Sequence, residues 1–390
     1  MRFGRNRILL GKILLLLVIL ISGLTVLGCV GIKSTPEGGA GGAIANGTLF
    51  LSPALRSGGG FGCAAPPTAG KLVAVNTSNG NRQWEIPLET SAPAGGGFGC
   101  AAPAAKPVAI YGTPAIARDL VYAGGYNGKI YAVNSSSGAL RWIYPRQGNL
   151  QPIVGGVVVA GDKVYFGCSG GKIYALDADT GDKVWEFPTG DKIWATPTID
   201  GEILYIGSFD KKLYALGTAD GSKKWEFKTE GAVVSTPLAY NNMVYIGSFD
   251  RHLYAVKATD GSLAWKFMAE NWFWARPVAY NNTIYAVCLD GKVYALNAEN
   301  GNKVAEFDLG SPVSSSPVLV DSSIIVASEE GKVYSIDNNQ KRELKNLEAK
   351  VTAALCASNG VVYIHANDQT LYALNAQTGV SLWSLSLSSK

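Results

Sequence analysis

The sequence is poor in the residues that metal and nucleophile sites use. It contains two histidines in 390 residues, His252 and His365. No group of histidine, cysteine and aspartate has the spacing of a metal site, and no Ser-His-Asp set can be assembled. We therefore predict no catalytic residue, no metal and no cofactor.

Charged residues are scarce as well, at 16% of the chain, and the formal net charge is +4. The first 28 residues contain four basic residues and no acid, so the remaining chain is close to neutral. Binding to a phosphate backbone requires a basic stripe. Nucleic acid is therefore not an expected partner.

Sustained helical periodicity is missing after the N terminus, where the long apolar run Ile13–Leu27 follows four basic residues. Such a run indicates a secretory signal. It ends in Val26, Leu27, Gly28 and Cys29, which resembles a lipobox. We predict a lipoprotein signal peptide over 1–28, lipidation of Cys29, a Gly-rich tether over 29–43 and a location outside the cytoplasm. The alternative is an uncleaved membrane anchor, because 8–28 could nearly span a bilayer.

What the chain has in abundance is a repeat of about forty residues. Five tyrosines lie 40 residues apart, and the text around them is nearly the same: Tyr174, Tyr214, Tyr254, Tyr294 and Tyr334. A period of this length indicates an array, a solenoid or a propeller. Residues that all repeats share are then scaffold, and residues that depart from the repeat are the functional candidates.

Each repeat contains four strand-sized runs separated by Asp-Gly or Asn-Gly turns, the pattern of successive hairpins. Two anchors count the repeats. The anchor of the third strand occurs at Val73, Tyr131, Tyr174, Tyr214, Tyr254, Tyr294, Tyr334 and Tyr372. The anchor of the fourth strand occurs at Trp84, Trp142, Trp185, Trp225, Trp265, Ala305, Leu344 and Trp383. Both predict an all-β, eight-bladed β-propeller of four-stranded antiparallel blades over 44–390, closed between residues near 44–52 and 380–387.

The repeat resembles the pyrroloquinoline-quinone (PQQ)-type propeller repeat of quinoproteins. The resemblance rests on the run ALDADTG at 175–181 followed by Trp185, and it covers roughly 44–385. In size, blade count and export signal the chain is most similar to the propeller lipoproteins of outer-membrane β-barrel assembly. Quinoprotein dehydrogenases share the repeat, but many carry an adjacent pair of cysteines over the quinone, and no two cysteines are adjacent here.

Two cysteines lie in insertions that break the repeat. Cys63 and Cys100 belong to two copies of the phrase GGGFGCAAP, at 58–66 and 95–103. The first copy lies between strands two and three of blade one, and the second lies between blades one and two. These two connections emerge on the same face of an up-and-down blade, so a disulfide is geometrically allowed. The alternatives are two free thiols or a bond to a different partner. We read Cys168, Cys288 and Cys356 as buried thiols.

The most marked departures form an aromatic cluster before two inner strands. Trp194 and Trp274 occupy the same repeat position, and Trp272 and Phe273 add to them. Arg276 replaces the small hydroxyl residue of other repeats. Trp and Arg are typical binding hot spots, so we take these five residues as candidate ligand or partner contacts at a channel mouth. The alternative is packing between blades.

Together these features predict a membrane-anchored propeller that binds or scaffolds other proteins of the cell envelope. The partner would be an envelope protein or peptide, and a glycan is possible. Two alternatives stay open: a PQQ-dependent alcohol or sugar dehydrogenase, and a sensor that binds a glycan or peptide.

We predict that Cys63 and Cys100 are bonded in the mature protein. The bond would close a loop of about 37 residues and add roughly 2–4 kcal/mol to the free energy of unfolding. Non-reducing peptide mapping should recover a linked pair. Alkylation of both thiols without reductant would contradict the prediction.

We also predict that Cys29→Ser abolishes lipidation and leaves a longer precursor, because the lipobox would lose its acyl acceptor. Palmitate labelling and N-terminal sequencing measure the two effects. Labelling of the variant, or a wild-type chain that keeps its first 28 residues, would refute the lipobox.

Overall fold

The computed structural model describes residues 41–53, 70–88 and 108–388. Thirty-two strands and no helix lie within these ranges. The first four blades contain β1 (Ala43–Ala45), β2 (Thr48–Leu51), β3 (Lys71–Asn76) and β4 (Arg82–Pro87); β5 (Ala115–Ala117), β6 (Leu120–Gly124), β7 (Ile130–Asn134) and β8 (Leu140–Tyr144); β9 (Val158–Ala160), β10 (Lys163–Cys168), β11 (Lys172–Asp177) and β12 (Lys183–Pro188); β13 (Thr198–Asp200), β14 (Ile203–Gly207), β15 (Lys212–Gly217) and β16 (Lys223–Lys228).

The last four blades repeat this arrangement. They contain β17 (Leu238–Tyr240), β18 (Met243–Gly247), β19 (His252–Lys257) and β20 (Leu263–Met268); β21 (Val278–Tyr280), β22 (Thr283–Val287), β23 (Lys292–Asn297) and β24 (Lys303–Asp308); β25 (Val318–Val320), β26 (Ser323–Ala327), β27 (Lys332–Asp337) and β28 (Gln340–Asn346); β29 (Cys356–Ser358), β30 (Val361–His365), β31 (Thr370–Asn375) and β32 (Ser381–Ser386).

Each blade is one antiparallel sheet whose four strands follow chain order. The first strands of neighbouring blades contact each other at seven of the eight interfaces, so these strands are innermost, and β1 contacts both β5 and β29. The ring therefore closes between the first and last blades. The predicted all-β, eight-bladed propeller is confirmed.

The hydrophobic core is divided among the interfaces between blades. Among the described residues, eight clusters of buried apolar side chains occur, and each draws on two neighbouring blades. The cluster that joins the last blade to the first packs Leu371 and Ala373 against Leu49 and Val73. Burial thus stabilises the ring blade by blade, as expected for a radial repeat.

The tryptophan of the fourth strand locks each blade to the next at six of the eight interfaces. The Trp265 indole N–H donates to the carbonyl of Ala298 in the following blade at 2.9 Å. It packs on Gly301, where an added Cβ would lie 2.6 Å from the ring and where φ is +73°. Only glycine combines this conformation with so close an approach. The same donor–carbonyl pairing occurs for Trp84, Trp142, Trp185, Trp225 and Trp383.

The lock also closes the ring. Trp383 in the last blade donates to the carbonyl of Thr77 in the first blade at 3.0 Å, and Gly80 lies beneath its indole. The Tyr363 hydroxyl donates to the same carbonyl. The two ends of the propeller are adjacent, as the sequence predicted.

One predicted anchor is wrong. Leu344 does not occupy the tryptophan position of the seventh blade. Ala215 pairs with Trp225 in the fourth blade, and the corresponding residue Ser335 pairs with Arg342. The cause is a shortened turn: Asn338 and Asn339, both with positive φ, connect β27 directly to β28. The shorter turn advances the fourth strand, so Arg342 replaces the tryptophan.

The cysteine predictions divide by location. Cys29, Cys63 and Cys100 lie outside the described residues. Cys168 and Cys288 are buried free thiols, and Cys356 is a free thiol on the inner strand β29. Burial raises the pKa of Cys288 to about 12 and that of Cys356 to about 12. These thiols are therefore poor nucleophiles. Within the described ranges, no helix has the length and apolar character needed to cross a membrane.

We predict that Trp265→Ala lowers the free energy of unfolding by about 3–5 kcal/mol, the cost of removing a buried aromatic side chain. The indole is 7% exposed and also holds the inter-blade hydrogen bond. Chemical denaturation measures the loss. Trp272→Ala is the matched control because Trp272 is 42% exposed, and equal losses in the two variants would contradict the structural role.

Candidate functional site: an aromatic face across blades four to six

The candidate residues lie on segments that connect one blade to the next. Each such segment is fixed against the turn between strands two and three of its own blade. The amide of Phe209 donates to the carbonyl of Lys192 at 3.0 Å, and that of Leu289 donates to the carbonyl of Trp272 at 3.1 Å. Both connections leave the same end of an antiparallel blade, so the two kinds of loop form one face.

Half-buried aspartates hold these turns in place. The Asp250 carboxylate accepts the Tyr254 hydroxyl at 2.8 Å and the amides of Glu230 and His252. Burial alone would raise the pKa of Asp250, but these hydrogen bonds outweigh burial and lower it. Asp210 and Asp290 accept the corresponding tyrosine hydroxyls in the neighbouring blades. The face therefore stands on a rigid base.

Five aromatic side chains form a continuous series across this face. Phe249 stacks on Trp272 with 4.4 Å between ring centroids and on Trp274 with 5.6 Å. Phe209 lies edge-on to Phe249 at 6.1 Å and to Trp194 at 4.9 Å. We call Trp194, Phe209, Phe249, Trp272 and Trp274 the aromatic face. Trp272 is 42% exposed and the other four are half-buried.

Phe273 does not belong to the aromatic face. It is 1% exposed and packs against Tyr294 in the core between blades five and six. Alternation along the segment explains the difference, since Phe273 and Ala275 point into the core while Trp272 and Trp274 point away from it. Phe273 is therefore a packing residue, the role that the sequence left open as an alternative.

Phe209 and Phe249 connect the predicted tryptophans, and sequence analysis missed them. Each follows a serine in the turn between strands two and three, a position occupied in other blades by Ser169, Leu289 and Glu329. The repeated phrase SFD at 208–210 and 248–250 could have identified them. Tyr111 and Tyr126 form an analogous edge-on pair in blade two at 5.5 Å.

Three cations accompany the rings without an acidic partner among the described residues. Lys192 lies over the Phe209 ring at 4.5 Å and over Trp194 at 5.3 Å, a cation–π arrangement. Lys211 and Arg251 are exposed and follow the two SFD turns. Both have left-handed backbones, with φ of +68° and +72°, and the equivalent residue of four other blades is a left-handed glycine. Holding a long cationic side chain in this conformation is strained, and such strain is often found at functional sites.

Arg276 lies on the ring of positions that surrounds the channel axis. Its amide donates to the Ser316 hydroxyl at 3.1 Å, as the Gly156 amide does to Thr196. Other blades place small residues here: Gly41, Thr113, Gly156, Thr196, Thr236, Ser316 and Ala354. The guanidinium is accessible to solvent, yet desolvation by surrounding protein lowers its pKa. It forms no ion pair within the described ranges, so it offers an unpaired positive charge.

Nowhere in these ranges do three or more histidines, cysteines or acids group as a metal site.

Comparison with known proteins agrees with this architecture. A family model described as "Beta-alanine-activating enzyme, beta-propeller" matches residues 117–346, more than half of the chain. The chain belongs to this β-propeller family. A second model, described as "Outer membrane protein assembly factor BamB", matches residues 45–167. The repeats are thus PQQ-like, as the sequence predicted.

Solved structures also resemble this PQQ-like propeller. BamB from Moraxella catarrhalis aligns with a TM-score of 0.68 and 20% identity, over 86% of this chain and 93% of BamB. The computationally designed protein Ika8 aligns with a TM-score of 0.69 and 13% identity, over 87% of this chain and 97% of Ika8. At these identities the likeness concerns the fold. No curated protein matches the chain significantly.

Proposed function

We propose that this chain is an extracytoplasmic, lipid-anchored propeller that binds a partner protein of the cell envelope through the aromatic face. The observation that carries the proposal is the exposed Trp272 stacked on Phe249 at 4.4 Å. Exposed tryptophan in a fixed orientation supplies a large apolar contact at little entropic cost. The likeness to BamB, an outer membrane protein assembly factor, supports a protein-binding scaffold of this kind.

The cations around the rings favour a partner with carboxylates. Lys192, Lys211 and Arg251 have no acidic partner among the described residues. Charges at the edge of an interface mainly accelerate and orient association, while the rings supply the affinity. Arg276 adds a charge toward the channel. A protein surface that is apolar at its centre and acidic at its edge would fit this arrangement.

The anchoring part of the proposal rests on Cys29 and the preceding signal sequence. A lipid anchor outside the cytoplasm would place the propeller beside other envelope proteins and raise their effective concentration. The connecting segment 29–43 is Gly-rich, a composition typical of a flexible tether. Anchoring thus complements a binding surface of modest size.

The two alternative functions are separable from this one. A ring beside a cation also suits an acidic glycan, so a purified glycan that competes with the partner would favour the sensor. A quinone-dependent dehydrogenase would change the absorbance spectrum of the protein when quinone and calcium are added.

We predict that Trp272→Ala and Arg276→Ala weaken partner capture at least about tenfold while leaving stability nearly unchanged. Both side chains are exposed, so their removal costs little folding free energy. A photo-crosslinking residue at position 272 in intact cells, followed by mass spectrometry, identifies the partner. Affinity of the purified variants for that partner and their melting temperatures are then measured together.

The matched control is Val304→Ala, because Val304 is 51% exposed on the outer strand β24 and lies away from the aromatic face. Lys211→Gly and Arg251→Gly test the charge, with Gln369→Gly as their control at the same left-handed position. Equal affinity in Trp272→Ala and wild type, or a large drop in the melting temperature of Arg276→Ala with normal capture, would refute the proposed site.

A further inference from the structure

The interface between blades seven and eight departs from the repeat at several neighbouring positions. At four other interfaces one carbonyl accepts both the tryptophan N–H and a tyrosine hydroxyl, as Ala298 does from Trp265 and Tyr245. The corresponding carbonyl in blade eight belongs to Ala376. Blade seven supplies neither donor to it.

Register identifies the replacements. Tyr205 pairs with Ala215 and Ala215 pairs with Trp225 in blade four. At the same places in blade seven, Ile325 pairs with Ser335 and Ser335 pairs with Arg342. The tyrosine, alanine and tryptophan of blade four are thus replaced in blade seven by isoleucine, serine and arginine. These side chains fill less of the space between the blades and add a hydroxyl and a guanidinium.

These replacements leave a cleft of about 390 Å³. Side chains and backbone of both blades line it, among them Asp321, Ser335, Asp337, Lys341, Arg342 and Ala376. A cleft of this volume is large enough for a small molecule. It opens at the ends of the turns between strands one and two and between strands three and four, the opposite face of the propeller from the aromatic face.

The polar groups of the cleft are not all satisfied by other side chains of the protein, and Ser335 is the first example. It is 4% exposed and lines the cleft, yet its hydroxyl makes no hydrogen bond within the described ranges. All seven other blades have alanine at this position. The hydroxyl oxygen is open to the cleft, so it can form a hydrogen bond with a bound molecule.

Several charged side chains of the cleft also lack a full set of hydrogen-bonding or ionic partners. Asp321 and Asp337 form no ion pair or side-chain hydrogen bond with a described residue. The short turn removes the usual task of Asp337, since the equivalent Asp177 accepts the amides of Asp179 and Thr180. Lys341 donates to the carbonyl of Asp308 and lies 5.2 Å from the Tyr334 ring centroid, while Arg342 donates one N–H to the carbonyl of Gln377. Four guanidinium N–H donors therefore remain.

We propose that this cleft binds a small zwitterion of the α-amino-acid type. The ammonium group of the ligand would be held by Asp321 and Asp337, and its carboxylate by Arg342 and the Ser335 hydroxyl. Carboxylates and a guanidinium that line one cleft without pairing to each other complement a ligand that carries both charges. Charge-assisted hydrogen bonds at both ends would fix its orientation.

Isothermal titration calorimetry of the full-length protein tests this. The probes are L-alanine, L-glutamate and L-lysine, with N-acetyl-L-alanine and L-alaninamide as analogues that each lack one charge. We expect at least one free amino acid to bind, and both blocked analogues to bind at least about tenfold more weakly, which corresponds to about 1.4 kcal/mol. Equal binding of either analogue would overturn the zwitterion, and so would no binding of any amino acid at millimolar concentration.

Variants then locate the site. Arg342→Trp restores the residue type of the repeat and should abolish binding by filling the cleft. Asp337→Asn and Asp321→Asn should weaken binding about tenfold, and they keep the test valid if Arg342→Trp does not fold. Asp177→Asn is the matched control, because it makes the same change at the equivalent position of blade three. Unaltered binding in Asp337→Asn and Asp321→Asn would overturn the assignment, whatever the outcome at the aromatic face.

Discussion

The indole of one blade donating to a carbonyl of the next is the interaction on which the propeller depends. Each blade is a four-stranded sheet that could bury little apolar surface alone, and the lock fixes its angle against a neighbour. The acceptor carbonyl, the glycine beneath the ring and the apolar cluster recur together. The same repeat motif therefore encodes both a blade and its interface with the next blade. The Trp383–Thr77 hydrogen bond forms the same interface between the last blade and the first. Closure therefore requires no exchange of strands between the first and last blades.

Periodicity made the fold predictable to the level of individual strands, because the identical spacing of tyrosine and tryptophan fixes blade number and strand order. The error at Leu344 arose where a two-residue turn advanced the fourth strand, a change that spacing alone does not reveal. Phe273 was grouped with its neighbours because sequence adjacency does not show which side chains of an extended segment point inward. Phe209 and Phe249 were missed since they lie in turns, and only the three-dimensional ring places them between the predicted tryptophans.

The departures from the repeat fall into two regions on opposite faces. Blades four and five keep their tryptophan locks, and blade six has Ala305 at that position. The residues of the aromatic face lie in connecting segments and turns outside the strands. Blade seven changes the lock itself: Arg342 and Ser335 replace the tryptophan and alanine of the repeat, and the interface relies on the apolar cluster around Leu355 and Leu374. A repeat protein can lose the lock at two of its eight interfaces because the other interfaces keep the ring closed, as expected when each unit contacts only its neighbours.

Arg276 shows that a position on the channel can hold a charged side chain that a buried position could not. The inner segments approach so closely that an added Cβ at Gly156, which occupies the Arg276 position in blade three, would lie 2.9 Å from the Thr113 carbonyl oxygen. Small residues satisfy this crowding at the other seven blades. An arginine is tolerated here because its side chain is exposed to solvent, while desolvation by the surrounding protein lowers its pKa. A buried guanidinium without a partner would be far more costly. The charge is thus held in a wet but confined space, where an acid of a binding partner would meet less competition from bulk solvent than on an open surface.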